Sequence, residues 1–158
     1  MLERDRHLRR RGAVLVLVAL LMLPLMLVMA FVVDVGYMYN IQAEIEAVAD
    51  SASLAAAGEM SRAAAVEYKQ QATDAANLYS SLHVSLGSEA LNLDGADIEF
   101  GDAVYDQASG HWSFVPNASS LAPYAVRVTV RRDGVTNPVV PRLFSKILGH
   151  AGGVQEAT

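Results

Sequence analysis

No cysteine occurs among the 158 residues. Disulfides, thiol chemistry and cysteine-based metal sites are therefore excluded. The four histidines, His7, His83, His111 and His150, include none with another histidine at i+4, so the helical zinc pattern is absent. A phosphate-cradling glycine loop and a G-x-S-x-G elbow are also missing. Serines are plentiful, yet none stands in a context that suggests activation, and no catalytic constellation can be assembled. These absences point away from an enzyme, a cofactor or a small-molecule substrate. Basic residues are outnumbered 12 to 17. The chain thus lacks the basic footprint that nucleic acid requires.

What the chain has is a long apolar run. Ala13 to Val33 are 21 residues without a charge. At about 1.5 Å per residue such a helix spans roughly 30 Å, the thickness of the hydrocarbon core of a lipid bilayer. The flanks are asymmetric. Arg4, Arg6, Arg9, Arg10 and Arg11 precede the run against Glu3 and Asp5, whereas the remainder holds seven basic residues and fifteen acids. Basic residues stay on the cytoplasmic side, so the N-terminus is expected inside and residues 34–158 outside. Tyr37 and Tyr39 lie where amphipathic rings mark the outer interface. The same stretch is also readable as a cleaved signal sequence, with "VMA" at 28–30 as the cleavage site, although its apolar core exceeds the usual 7–15 residues.

The apolar run ends at Asp34, which either terminates the span or meets another membrane helix. Beyond it the helical pattern continues. Ile41, Ile45, Val48, Ala52 and Ala55 recur at steps of four and three, with Glu44, Glu46 and Asp50 off the stripe. A second stripe runs through Tyr68, Ala72, Ala75, Tyr79 and Leu82. Both stripes fit packing on the chain's own sheet, or a seam with another protein.

Composition changes near Gly87. "ADIEFGDAVYD" (96–106), "HWSFVP" (111–116) and "YAVRVTVRR" (124–132) read as strands, with "QASG" as a hairpin loop. Val126, Val128 and Val130 alternate with Arg127, Thr129 and Arg131, and Trp112 and Phe114 share a face suited to covering the valines. A short amphipathic helix is expected from Arg142 to Leu148, either closing the core or touching the membrane surface. The fold class is therefore α+β: a transmembrane helix extended into a stalk helix, then a small antiparallel sheet and a short C-terminal helix. The segments are a basic leader (1–12), a span (13–33), a helical stalk (34–86) and a β-rich domain (87–158). Asp94, Asp97, Glu99, Asp102 and Asp106 are hard-oxygen ligands by type, but their spacing does not match a calcium loop, and no metal site is expected. "NAS" at 117–119 fits the glycosylation acceptor pattern.

These residues resemble the TadE/TadG-like proteins of the Flp (Tad) pilus assembly system, nearest to TadG-like. The resemblance is carried by the basic N-terminus, "RRRGAVLVLVALLMLPLMLVMAFVVDVGYMYN", "VADSASLAAA", the strand segment 98–132 and "LFSKILG". The family pattern of Asp-x-Gly followed by Ala-Asp-x-Ala-x-Leu-Ala falls on Asp34, Gly36, Ala49, Asp50, Ala52, Leu54 and Ala55. The glutamine that often precedes this stretch is Glu46 here, and relatives continue past the position of "VQEAT". The resemblance implies a single-pass protein of the bacterial inner membrane, with its C-terminal part periplasmic. Its partners would be the lipid bilayer, other pilus-assembly membrane proteins or pilins, and a second copy of itself. Two alternatives stay open: a pilin-like minor subunit, and a secreted binding module released by signal peptidase. Prepilins resemble the chain in having "RRRG" before an apolar helix, but they carry glutamate where Leu17 stands.

Overall fold

The computed structural model describes residues 2–62, 68–83, 90–117, 123–141, 144 and 154–158, with side chains from residue 12 onward. Helix α1 runs from Leu2 to Arg62 with Pro24 inside it, and α2 from Tyr68 to Leu82. A 3₁₀ turn (Gly95–Asp97) leads into strand β1 (Ile98–Asp106). Then come β2 (His111–Pro116), β3 (Ala125–Val128), β4 (Val130–Arg132) and β5 (Gln155–Ala157). The architecture is α+β. The short helix expected at 142–148 lies outside the described residues, apart from Phe144.

The chain forms two compact units. The first comprises Met1–Tyr37 and Arg142–Ala151. Its large apolar side chains between Val14 and Val33 are 49–72% exposed. Among the described residues nothing covers this belt, and a helix of that length and composition is sufficient to cross a membrane.

The second unit comprises Met38–Pro141 and Gly152–Thr158. Its part of α1 buries Ile41, Ile45, Val48, Ala49, Ala52 and Ala56. The stripe thus continues through Ala56, where Ala55 was expected; Ala55 is only half-buried. In α2 the buried face is Tyr68, Ala72, Ala76 and Ser80. The expected stripe through Ala75, Tyr79 and Leu82 is displaced by one residue, and Tyr79 and Leu82 are exposed. The reason is polar. Ser80 is fully buried because its hydroxyl donates to the Leu91 carbonyl at 2.6 Å, so a serine occupies the inner side.

Strands β2, β1 and β3 form an antiparallel sheet in that order. The hairpin β1–β2 turns at residues 107–110, where Gly110 adopts a positive φ of 71° that glycine accepts without strain. Register assigns the faces. Phe100 pairs with Val126 and Ile98 with Val128, placing these four on one side. Tyr68 of α2 meets Phe100 there, edge to face at 6.1 Å. Such a contact adds about 0.5–1.5 kcal/mol beyond burial.

Trp112 and Phe114 pair with Tyr105 and Ala103, one position out of phase with the valine set. They occupy the opposite face and do not cover the valines, contrary to the sequence expectation. Trp112 instead packs on Tyr105 at 5.2 Å and stays 70% exposed, while the Arg127 guanidinium lies 4.6 Å above the Phe114 ring. The run expected as one strand at 124–132 divides at Thr129. Beyond it β4 leaves the first sheet and pairs with β5, Val130 opposite Ala157.

Candidate interaction sites

Asp34 is the first residue after the apolar run, and it is 7% exposed. Both of its carboxylate oxygens accept the backbone N–H of Phe144, each at 3.1 Å. A covered carboxylate at this position demands donors, and an amide 110 residues away supplies one. The reading of Asp34 as a contact for another membrane helix thus meets an intramolecular partner.

The other family-pattern residues separate by exposure. Ala49 and Ala52 are buried in the second unit, Ala52 completely. Ala55 is half-buried. Gly36 and Asp50 are exposed, and Leu54 is 74% exposed. A Cβ added at Gly36 would meet nothing within 4 Å, so no packing constraint calls for glycine there. The alanines belong to the chain's own core, whereas Gly36, Asp50 and Leu54 present themselves outward.

The five acids of residues 94–106 each have a protein partner. The Asp94 side chain accepts from Ala96 N–H and Asp97 from Asp94 N–H, a reciprocal capping box on the 3₁₀ turn. Asp97 also pairs with Arg131, whose guanidinium is thereby pushed to a still higher pKa, first by the hydrogen bond and then by the charge. Glu99 pairs with Arg127, and Asp102 accepts from Asn117 at 3.1 Å. Asp106 accepts from Ser109 Oγ at 2.7 Å and Ala108 N–H at 2.9 Å, which hold its carboxyl below its ordinary pKa. These acids close turns and balance arginines. Among the described residues no group of three or more metal-ligating side chains converges.

One serine and one histidine do meet. Ser51 Oγ lies 3.1 Å from His83 Nε2, joining α1 to the end of α2. The hydroxyl proton, however, goes to the Val48 carbonyl at 3.0 Å. In that rotamer the hydroxyl turns its lone pairs and not its proton toward the imidazole, unlike a serine paired with a general base.

Two features were not legible in sequence. A cavity of about 330 Å³ is lined by Ala57, Met60 and Ser61 of α1 with Pro123, Tyr124, Ala125 and Val126. Among the described lining residues the Tyr124 phenol is the one titratable group. Asn137, 3% exposed, receives Asn92 N–H at 2.8 Å and donates to the carbonyls of Asn92 and Arg131 at 2.9 and 2.8 Å. An asparagine beside Pro138 suggests only a turn from sequence; its role as a clasp depends on a partner 45 residues away.

Residues 12–59 match the family described as TadE/G-like Flp pilus assembly, and residues 55–157 match the family described as Tad-like Flp pilus assembly. The two matches together span the apolar helix and nearly all of the second unit. No curated protein and no solved structure matches the chain.

Proposed function

The chain belongs to the Tad-like Flp pilus-assembly family, and on that premise we propose that it is a single-pass component of a Flp/Tad-type pilus assembly or secretion apparatus. In this reading residues 1–12 are a cytoplasmic leader and 13–33 span the bacterial inner membrane. The helical part 34–86 and the β-rich part 87–158 work on the periplasmic side. The observation that carries the reading is the uncovered belt between Val14 and Val33, lying within the family match and preceded by five arginines. Apolar side chains in that number are stable only in lipid.

The protein acts by contact and not by catalysis. Supporting this, the acids and the Ser51–His83 pair are spent on turns, arginines and a carbonyl. The exposed members of the family pattern, Gly36, Asp50 and Leu54, are the proposed contact points for other assembly proteins, pilins or a second copy. Asp34, Ala49, Ala52 and Ala55 are proposed to set the geometry that presents them. Reporter fusions placed after residue 60 should be active only outside the cytoplasm; cytoplasmic activity would sink the topology. Deleting the protein in its host should abolish assembled Flp pili, and a normal filament count would sink the assembly role. The intact mass of membrane-extracted protein separates an anchor from its alternatives. A chain beginning at Ala13 would mean a processed pilin-like subunit, and one beginning at Phe31 a released module.

A further inference from the structure

We propose that Phe144 is an interfacial anchor, its ring seated in the outer boundary of the bilayer and its backbone held there by the Asp34 carboxylate. The inference rests on the reading of residues 13–33 as the span. Given that reading, Asp34 marks the level at which hydrocarbon gives way to headgroups, because the uncharged run ends at Val33. The Phe144 amide is bound to both oxygens of that carboxylate at 3.1 Å. The Phe144 amide therefore cannot lie farther from the boundary than one aspartate side chain plus one hydrogen bond of 3.1 Å, although 110 residues separate the two in sequence.

The exposure of the ring points the same way. Phe144 is 40% exposed, and Val33 and Phe31, in the last turn of the apolar run before Asp34, are 49% and 69% exposed. Phe144 thus extends the apolar belt of the span by one large side chain. The medium that covers the belt is the one that covers the ring, so the occupant of this surface is lipid. Tyrosine and tryptophan, whose rings carry a polar edge, concentrate at this depth of a membrane, and the Phe144 ring adds purely apolar area beside them. Tyr37 and Tyr39, three and five residues past Asp34, place two further rings in the same zone, Tyr39 with 74% of its surface exposed. Burial of Asp34 completes the argument: a carboxylate at a lipid boundary needs donors to remain there, and the Phe144 amide brought to it holds Phe144 at the membrane face.

The test uses the full chain in phosphatidylcholine vesicles. Trp112 is the only tryptophan, so F144W in a W112F background carries a single reporter at the site. Its emission should be blue-shifted, and quenched more by lipid brominated high on the acyl chains than by lipid brominated near their ends. Asp34→Ala should abolish most of that quenching. Asp34→Asn, which keeps one acceptor oxygen, should retain part of it. Water-like emission from F144W with no quenching by either lipid overturns the anchor, and quenching unchanged by Asp34→Ala overturns the role given to Asp34. F31W, in the same W112F background, separates this failure from a wider one. If F31W is quenched and F144W is not, only the anchor is wrong; if neither is quenched, the span reading falls with it.

Discussion

Arg131 of β4 pairs with Asp97, the last residue of the turn that opens β1, so one ion pair joins two separate sheets. Asp97 is 1% exposed and also accepts Asp94 N–H at 2.8 Å. Arg131 is partly open to solvent, at 34%. Removing the carboxylate would orphan a guanidinium and a backbone donor together. Asp97→Ala is expected to destabilise the second unit by about 2–3 kcal/mol, below the full cost of breaking a fully buried pair because water reaches the arginine. Asp97→Asn keeps an acceptor for Asp94 and should lose less. Urea unfolding followed by far-ultraviolet circular dichroism in detergent measures both, and equal losses would contradict the dual role.

Ala52 has no exposed surface, and Ala47 on the other side of the same helix is exposed. Adding three carbons at position 52 overfills a closed space, at a cost of about 1–3 kcal/mol. Ala47→Leu should fall within about 0.5 kcal/mol of the parent, as for other surface changes. A normal melt for Ala52→Leu combined with loss of filaments would instead place a partner helix on this stripe.

At Gly101 the constraint is close approach. A Cβ there would come within 2.3 Å of the Val115 carbonyl oxygen and 2.9 Å of Phe114 Cζ. Backbone cannot yield as a flexible side chain does, so Gly101→Ala should push β2 away from β1. The expected result is loss of the Tyr105–Trp112 contact, read as a red shift in Trp112 fluorescence. An unchanged spectrum and an unchanged melt would contradict the tight register.

Asp133 closes the loop after β4 by accepting Val135 N–H at 2.9 Å and Thr136 N–H at 3.0 Å, and these bonds lower its pKa. A carboxylate lowered in the folded state contributes stability that is present above its unfolded value of about 3.9 and is lost as pH falls through the folded one. The melting temperature of the parent should therefore decline more steeply below about pH 4 than that of Asp133→Asn, since the variant lacks this titration. Parallel curves for the two proteins in that range would remove Asp133 from the acid limb.

Local signals carried far along this sequence. The uncharged run, the helical stripe from Ile41, the hairpin loop and the strand at 111–116 are all fixed within a few neighbours and were readable. Distant pairing decides the rest. Hydrophobicity aligns Trp112 and Phe114 with the valines, but a β-register one residue different sends a side chain to the other face. Ser80 was not an apolar candidate; the Leu91 carbonyl makes it an inner residue. Thr129 shows no break in the alternation of 124–132, and the strand divides there because β5 competes for the residues that follow. For Asp34, charge and position were legible, and the Phe144 amide that satisfies it was not.

The pairing of β4 with β5 also sets an order of events in time. Val130, fully buried, waits for Ala157, and Gln42 and Met38 of α1 receive their β5 partners from Glu156 and Gln155 across 114 and 117 residues. Closing loops of that length is a late step in folding. While the chain is being made, α1 has long been complete when its β5 partners emerge. Until residue 157 arrives, the second unit holds an unpaired edge at Val130–Arg132, the kind of edge that recruits strands from other chains. Pairing with β5 closes that edge, so completion of β5 also ends this exposure.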